Sequence, residues 1–303
     1  MRFISLGKNG RNGAKYYVWT FLLIITTTIG VGQLPYYMGL LSAGVDLSKV
    51  LEVSMEEAIT ILGSNLFLTL ELLPFCILLG VLLFSLVKIH NRSLKTVFTA
   101  RENFDWNRFF FLFTLWSLLL VIQLGLSYWM GAKIEWYAKK ETFFMLFAVS
   151  LFILPLQVLF EEVLFRSYIL QGLAISFKRP ILSIILSGTL FGLLHAANPE
   201  VDVLGKEILI YYIVTGIFLG VLTVMDDGLE LSFGFHTANN IFGAMIVTTN
   251  WQVFKTDALM IDKTPPVISW DMYFTLFVVF PLLLFVLSKK YKWNSFSSLI
   301  ENQ

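Results

Sequence analysis

Eight long apolar runs, separated by short polar connectors, set the pattern of this chain; they lie near 17–38, 64–87, 109–131, 142–174, 180–199, 207–225, 231–250 and 272–288. A helix needs about 20 mostly apolar residues to cross about 30 Å of hydrocarbon, so each run predicts a membrane span. The expected fold class is therefore all-α, a polytopic integral membrane helical bundle of about eight transmembrane helices. The runs at 109–131 and 272–288 are the cleanest, and the limits of 142–174 are the least sharply drawn. The first run follows a basic stretch (Arg2, Lys8, Arg11, Lys15). It is too long for the apolar part of a signal peptide, and no small-residue cleavage site follows it, so it reads as a retained anchor.

The connectors are short. Segment 41–61 reads as an amphipathic or loop stretch, 88–108 as a basic connector, and 289–303 as a basic, then polar tail. None is long enough to fold alone, so residues 1–303 are expected to form one integral membrane domain. If the spans alternate from a cytoplasmic start, the inside segments carry 15 of the 22 Lys and Arg residues, which predicts both termini in the cytoplasm. The acidic connector with Asp226, Asp227 and Glu230 lends that orientation no support.

Composition narrows the function classes. Hydrophobic residues make up 57% and charged residues 14% of the chain, against about 25% charged in an ordinary soluble domain. A soluble monomer is excluded. A net charge of +1 gives no basic footprint, so nucleic acid is not an expected partner. The single Cys76 excludes an internal disulfide framework and a Cys-rich zinc site.

Ionisable groups inside spans are costly and mark functional sites by default. Here they gather between Glu161 and Asn240 in three strings, EEVLFR at 161–166, FGLLH at 191–195 and HTANN at 236–240. Residues four apart share a helix face, so Glu162 pairs with Arg166, and His236 sits with Asn240. Glu161 lies about 100° around the helix from Glu162, which frees one carboxylate while arginine holds the other. Phe191, one turn before His195, walls off that imidazole. Glu161 and His195 stand almost equally far from the Lys178-Arg179-Pro180 turn, about 21–22 Å along an antiparallel hairpin, and so come level. Simple alternation places His236 and Asn240 nearer the cytoplasmic side. Joining all four needs a water-filled cavity or a kink, which Pro155 can supply.

Each string alone has a structural reading: an ion pair, a packed histidine, or amides that glue helices. Three strings within 80 residues favour chemistry. His90, in a basic connector, reads as solvated, and Glu71 with Asn65 as helix glue. Neither a Gly-x-Ser-x-Gly elbow nor a His-Glu-x-x-His zinc helix occurs.

Together the strings resemble the three motifs of the CAAX-protease and bacteriocin-processing (CPBP) family of intramembrane proteases, Glu-Glu-x-x-x-Arg, Phe-x-x-x-His and His-x-x-x-Asn/Asp. That family includes type II CAAX prenyl endopeptidases and lysostaphin-resistance-like proteins. All three motifs are complete and in order, and the resemblance covers roughly 142–250, where Asn198 and the small residues of the sixth span also suit it. It implies an enzyme, an intramembrane endopeptidase cutting a hydrophobic, lipidated or membrane-associated peptide or protein. By position, Glu161 would activate water with His195. His236 and Asn240 would stabilise the oxyanion, and Glu162 and Arg166 would support them. The family's chemistry has two versions, one with zinc and one with glutamate alone. Glu161, His195 and His236 are the candidate metal ligands for the first. A bacterial cytoplasmic membrane is the expected location. A proton-coupled transporter would also bury such residues, but it usually shows inverted repeats, and none is visible here. A non-catalytic immunity or scaffold protein would be expected to lose a motif residue, and none is missing.

Overall fold

The computed structural model describes residues 1–301. Among the described residues seven helices are long and apolar enough to cross a bilayer, the mark of a multi-pass membrane protein: α1 (Ala14–Ser42), α2 (Ser64–Ile89), α3 (Trp106–Trp129), α4 (Lys140–Phe177), α5 (Pro180–Ala197), α6 (Ile208–Met225) and, after a shorter α7 (Glu230–Ile241), α8 (Trp270–Tyr291). The expected run at 231–250 differs from the others. There α7 (Glu230–Ile241) runs into a widened turn at Phe242–Ile246 and stops at extended Val247. Its sequence mixes apolar residues with Ser232, His236, Thr237, Asn239 and Asn240, so lipid would solvate it poorly. It lies inside the bundle instead, with every residue from Glu230 to Ala238 buried.

Packing follows residue size. Gly188 of α5 and Gly216 of α6 face each other so closely that a Cβ on Gly188 would sit 2.5 Å from the Ile217 backbone nitrogen. Small residues allow such approach where no hydrophobic force drives helices together. Gly234 likewise presses α7 onto the α3 backbone at Phe109.

One end of the bundle is tied by buried ion pairs. Arg101 contacts Asp226 and Glu230, each at 3.0 Å, and Arg108 also reaches Asp226. The Phe3 amide donates to Asp227 at 2.9 Å, and the Trp293 indole donates to Asp226 at 2.8 Å. Burial pushes the Asp226 carboxyl up to about 6, against the opposing pull of Arg101. Residues 1–13, the 88–108 connector, the α6–α7 turn and residues 292–299 thus share one end. The chain must then traverse the bundle an even number of times. The α7 segment supplies the eighth passage, even though it is too short and polar to stand alone as a span.

At the opposite end β1 (Ile134–Trp136) pairs antiparallel with β3 (Met260–Asp262), which pairs in parallel with β2 (Val247–Thr248). The short helix Met55–Leu62, started by a Ser54/Glu57 capping box, fits the stretch read as amphipathic. Two readings are corrected. His90 is fully buried, bonded to the Tyr168 hydroxyl at 2.9 Å and the Arg11 carbonyl at 2.8 Å, because residues 1–13 fold over it. Glu71 is exposed on α2, so helix gluing falls to Asn65 alone, which bonds the Thr142 carbonyl and the Asp257 amide.

Candidate active site

Helix α4 carries the two carboxylates between two widened turns, Val149–Ile153 and Val163–Ile169. Pro155 has no N–H to offer the Leu151 carbonyl and its ring clashes there, and the first widened turn absorbs that break. The expected kink therefore takes the form of a local change in helical pitch.

The two neighbouring carboxylates have different surroundings. Glu162 is 0% exposed and Arg166 1%. Glu162 Oε1 accepts from His236 Nδ1 at 2.8 Å and lies 3.6 Å from Arg166 Nη1. Glu161 keeps 14% of its side chain open, with Oε2 3.5 Å from His236 Nε2. The pairing of Arg166 with Glu162 matches the helix-face reading, whereas Glu161 is met by Gln157 and His236 instead of arginine. Because α7 packs directly against α4, His236 bridges both carboxylates, contrary to the depth assigned by simple alternation.

His195 stands where α5 passes into a tight turn at its end. Its Nδ1 lies 2.8 Å from the Phe191 carbonyl, which can only accept. The proton therefore sits on Nδ1, leaving Nε2 as the lone-pair atom of the neutral ring. The ring stacks on Tyr212 with centroids 4.3 Å apart and lies 4.7 Å from Phe191. Phe191 also meets His236 edge-on at 5.7 Å and carries the Arg166 guanidinium 4.0 Å above its face. It thus packs against both imidazoles and the arginine, beyond the single wall expected of it.

Asn240 Nδ2 donates to Gln157 Oε1 at 3.4 Å, and Gln157 Nε2 donates to Glu161 Oε1 at 2.5 Å. The sequence reading missed Gln157, Tyr212, Trp116 and Asn239. Gln157 had a signal, an amide four residues before Glu161 in an apolar run; Tyr212 and Trp116 had none. A cavity of about 270 Å³, lined by Trp116, Tyr211 and Met272 among others, opens beside the cluster, and none of the seven motif residues lines it.

Among the described residues no three His, Cys, Asp or Glu side chains converge to hold a metal ion. Of the candidate metal ligands Glu161, His195 and His236, His236 faces Glu161, whereas the His195 ring lies against Tyr212 and Phe191.

Residues 142–242 match the family model for type II CAAX prenyl endopeptidase Rce1-like proteins. This stretch is Rce1-like. All seven motif residues, with Gln157, Asn239 and Tyr212, fall inside the Rce1-like stretch, whereas Trp116 comes from α3 outside it. The chain is also 29% identical over 194 residues to the uncharacterized protein YyaK of Bacillus subtilis, a match spanning 63% of this chain and 64% of that relative. The alignment thus covers less than two thirds of the relative's length. No solved structure matches the chain.

Proposed function

We propose that this protein is an intramembrane endopeptidase that cleaves a hydrophobic, lipidated or membrane-associated peptide or protein with glutamate-activated water. One observation carries this reading: a partly open carboxylate, Glu161, stands 3.5 Å from an imidazole whose other nitrogen is held by a second, sealed carboxylate. The Rce1-like match supports the same reaction class.

Water bound between Glu161 and His195 Nε2 gives a proton to Glu161, and the hydroxide attacks the scissile carbonyl. Asn240 spends one Nδ2 hydrogen on Gln157 and has a second for the developing oxyanion. His236, anchored at Nδ1 by Glu162, turns Nε2 toward the reacting group and supports the same oxyanion. Glu161 then passes its proton to the leaving amine. Glu162 and Arg166 fix His236 and are too deeply buried to touch substrate. The end holding residues 1–13, with most of the Lys and Arg, faces the cytoplasm of a bacterial cell, and the core of the enzyme is 142–250.

Asn240→Ala should lower kcat by roughly 10²–10³, the usual cost of one oxyanion donor, with KM little changed. Asn240→Asp should keep partial activity that improves as pH falls, because only the protonated acid can donate. Rate and folded fraction measured on one detergent preparation decide this: a normal rate per folded molecule in Asn240→Ala removes the residue from the site. A chelator should leave the rate unchanged, since the three candidate ligands do not converge. About one zinc per chain, lost in His195→Ala, would instead establish a metal centre.

A further inference from the structure

We infer that a directed chain of hydrogen bonds from Trp116 through Asn239, Asn240 and Gln157 to Glu161 positions the oxyanion donor and the base as one unit, with Gln157 as its central positioning residue. This rests on the protease reading above. The links are Trp116 Nε1 to Asn239 Oδ1 at 3.3 Å and Asn239 Nδ2 to Asn240 Oδ1 at 3.5 Å. Asn240 Nδ2 then reaches Gln157 Oε1 at 3.4 Å, and Gln157 Nε2 reaches Glu161 Oε1 at 2.5 Å.

The chemistry of the two ends sets the direction. An indole N–H only donates, and an ionised carboxylate only accepts. Each of the three amides between them must turn its carbonyl toward Trp116 and its NH₂ toward Glu161. Flipping any one would set donor against donor on one side and acceptor against acceptor on the other. Trp116 is 2% exposed and Gln157 6%, whereas Asn239 and Asn240 between them are half-buried, and along such a chain each amide polarises the next. The chain also joins three separate helices, α3, α7 and α4. Neither Glu161 nor Asn240 can move along the substrate without disturbing the other, which is what alignment of an attacking water with an oxyanion donor requires.

Gln157→Met keeps the side-chain length and removes both donor and acceptor; Trp116→Phe keeps an aromatic ring and removes the single donor. Purified full-length variants are compared with wild type for folded fraction, kcat and KM on a membrane peptide, with Glu161→Gln as the inactive control. Gln157→Met should lower kcat by about 10²-fold, with KM and folded fraction near wild type. Trp116→Phe should lower it less, by under about 10-fold, because its influence passes through three weaker links. A wild-type kcat per folded molecule in Gln157→Met overturns the inference. A second readout needs no turnover. In protein labelled with ¹⁵N-glutamine, the side-chain amide resonance lost in Gln157→Met should shift in both Glu161→Leu and Asn240→Ala. If it moves in neither, the chain of bonds is absent. A wild type that cleaves nothing sinks the protease reading, and the resonance experiment still decides the chain.

Discussion

Glu161→Gln should slow peptide cleavage by roughly 10²–10⁴ while the protein folds and purifies normally. Glutamine keeps the size of the side chain and its oxygen can still meet the Gln157 amide, but it cannot take a proton from water. Glu161 also has the exposure a base needs, since 14% of its side chain is open whereas Glu162 is sealed. Removing its charge should not unfold the bundle, because the sealed ion pair beside it is untouched. The measurement is the rate per folded molecule on a membrane peptide in detergent or vesicles. Near-normal cleavage by this variant would show that another group activates the water.

Glu162→Gln should fail differently, with low folded yield and low activity together. Glu162 and Arg166 are both buried, and removing one charge leaves the other uncompensated, a loss of about 3–5 kcal/mol for a buried pair. Glu162 Oε1 is also the acceptor for His236 Nδ1 at 2.8 Å, so the imidazole facing Glu161 loses its anchor. A double variant, Glu162→Met with Arg166→Met, separates the two roles. Well-packed apolar side chains can replace a buried ion pair at little cost, so thermal stability should recover. Activity should not, because methionine cannot hold His236. A double variant that regains both would reduce Glu162 to a packing role, and a stable, active Glu162→Gln would remove it from the site altogether.

The amino-acid sequence by itself determined the membrane-spanning all-α class and the seven strongest spans. Hydrocarbon thickness fixes how long and how apolar a span must be, and that condition can be read locally. It also determined which residues share a face of one helix, Glu162 with Arg166 and His236 with Asn240, because the 3.6-residue period needs no partner to be read. Tertiary structure alone decided which helices meet. Direct packing of α7 on α4 brings His236 beside Glu161, although linear counting had set them at different depths. Residues 1–13 fold over His90 and bury it, and the packing of α7 turns the polar 230–246 segment inward, where protein replaces lipid. Gln157 meets Glu161 along one helix, but its bond to Asn240 and the place of Trp116 in the site arise only from contacts between helices, and a contact between helices depends on their relative rotation and depth. No local period in the sequence encodes either quantity; the packing of the whole bundle sets both.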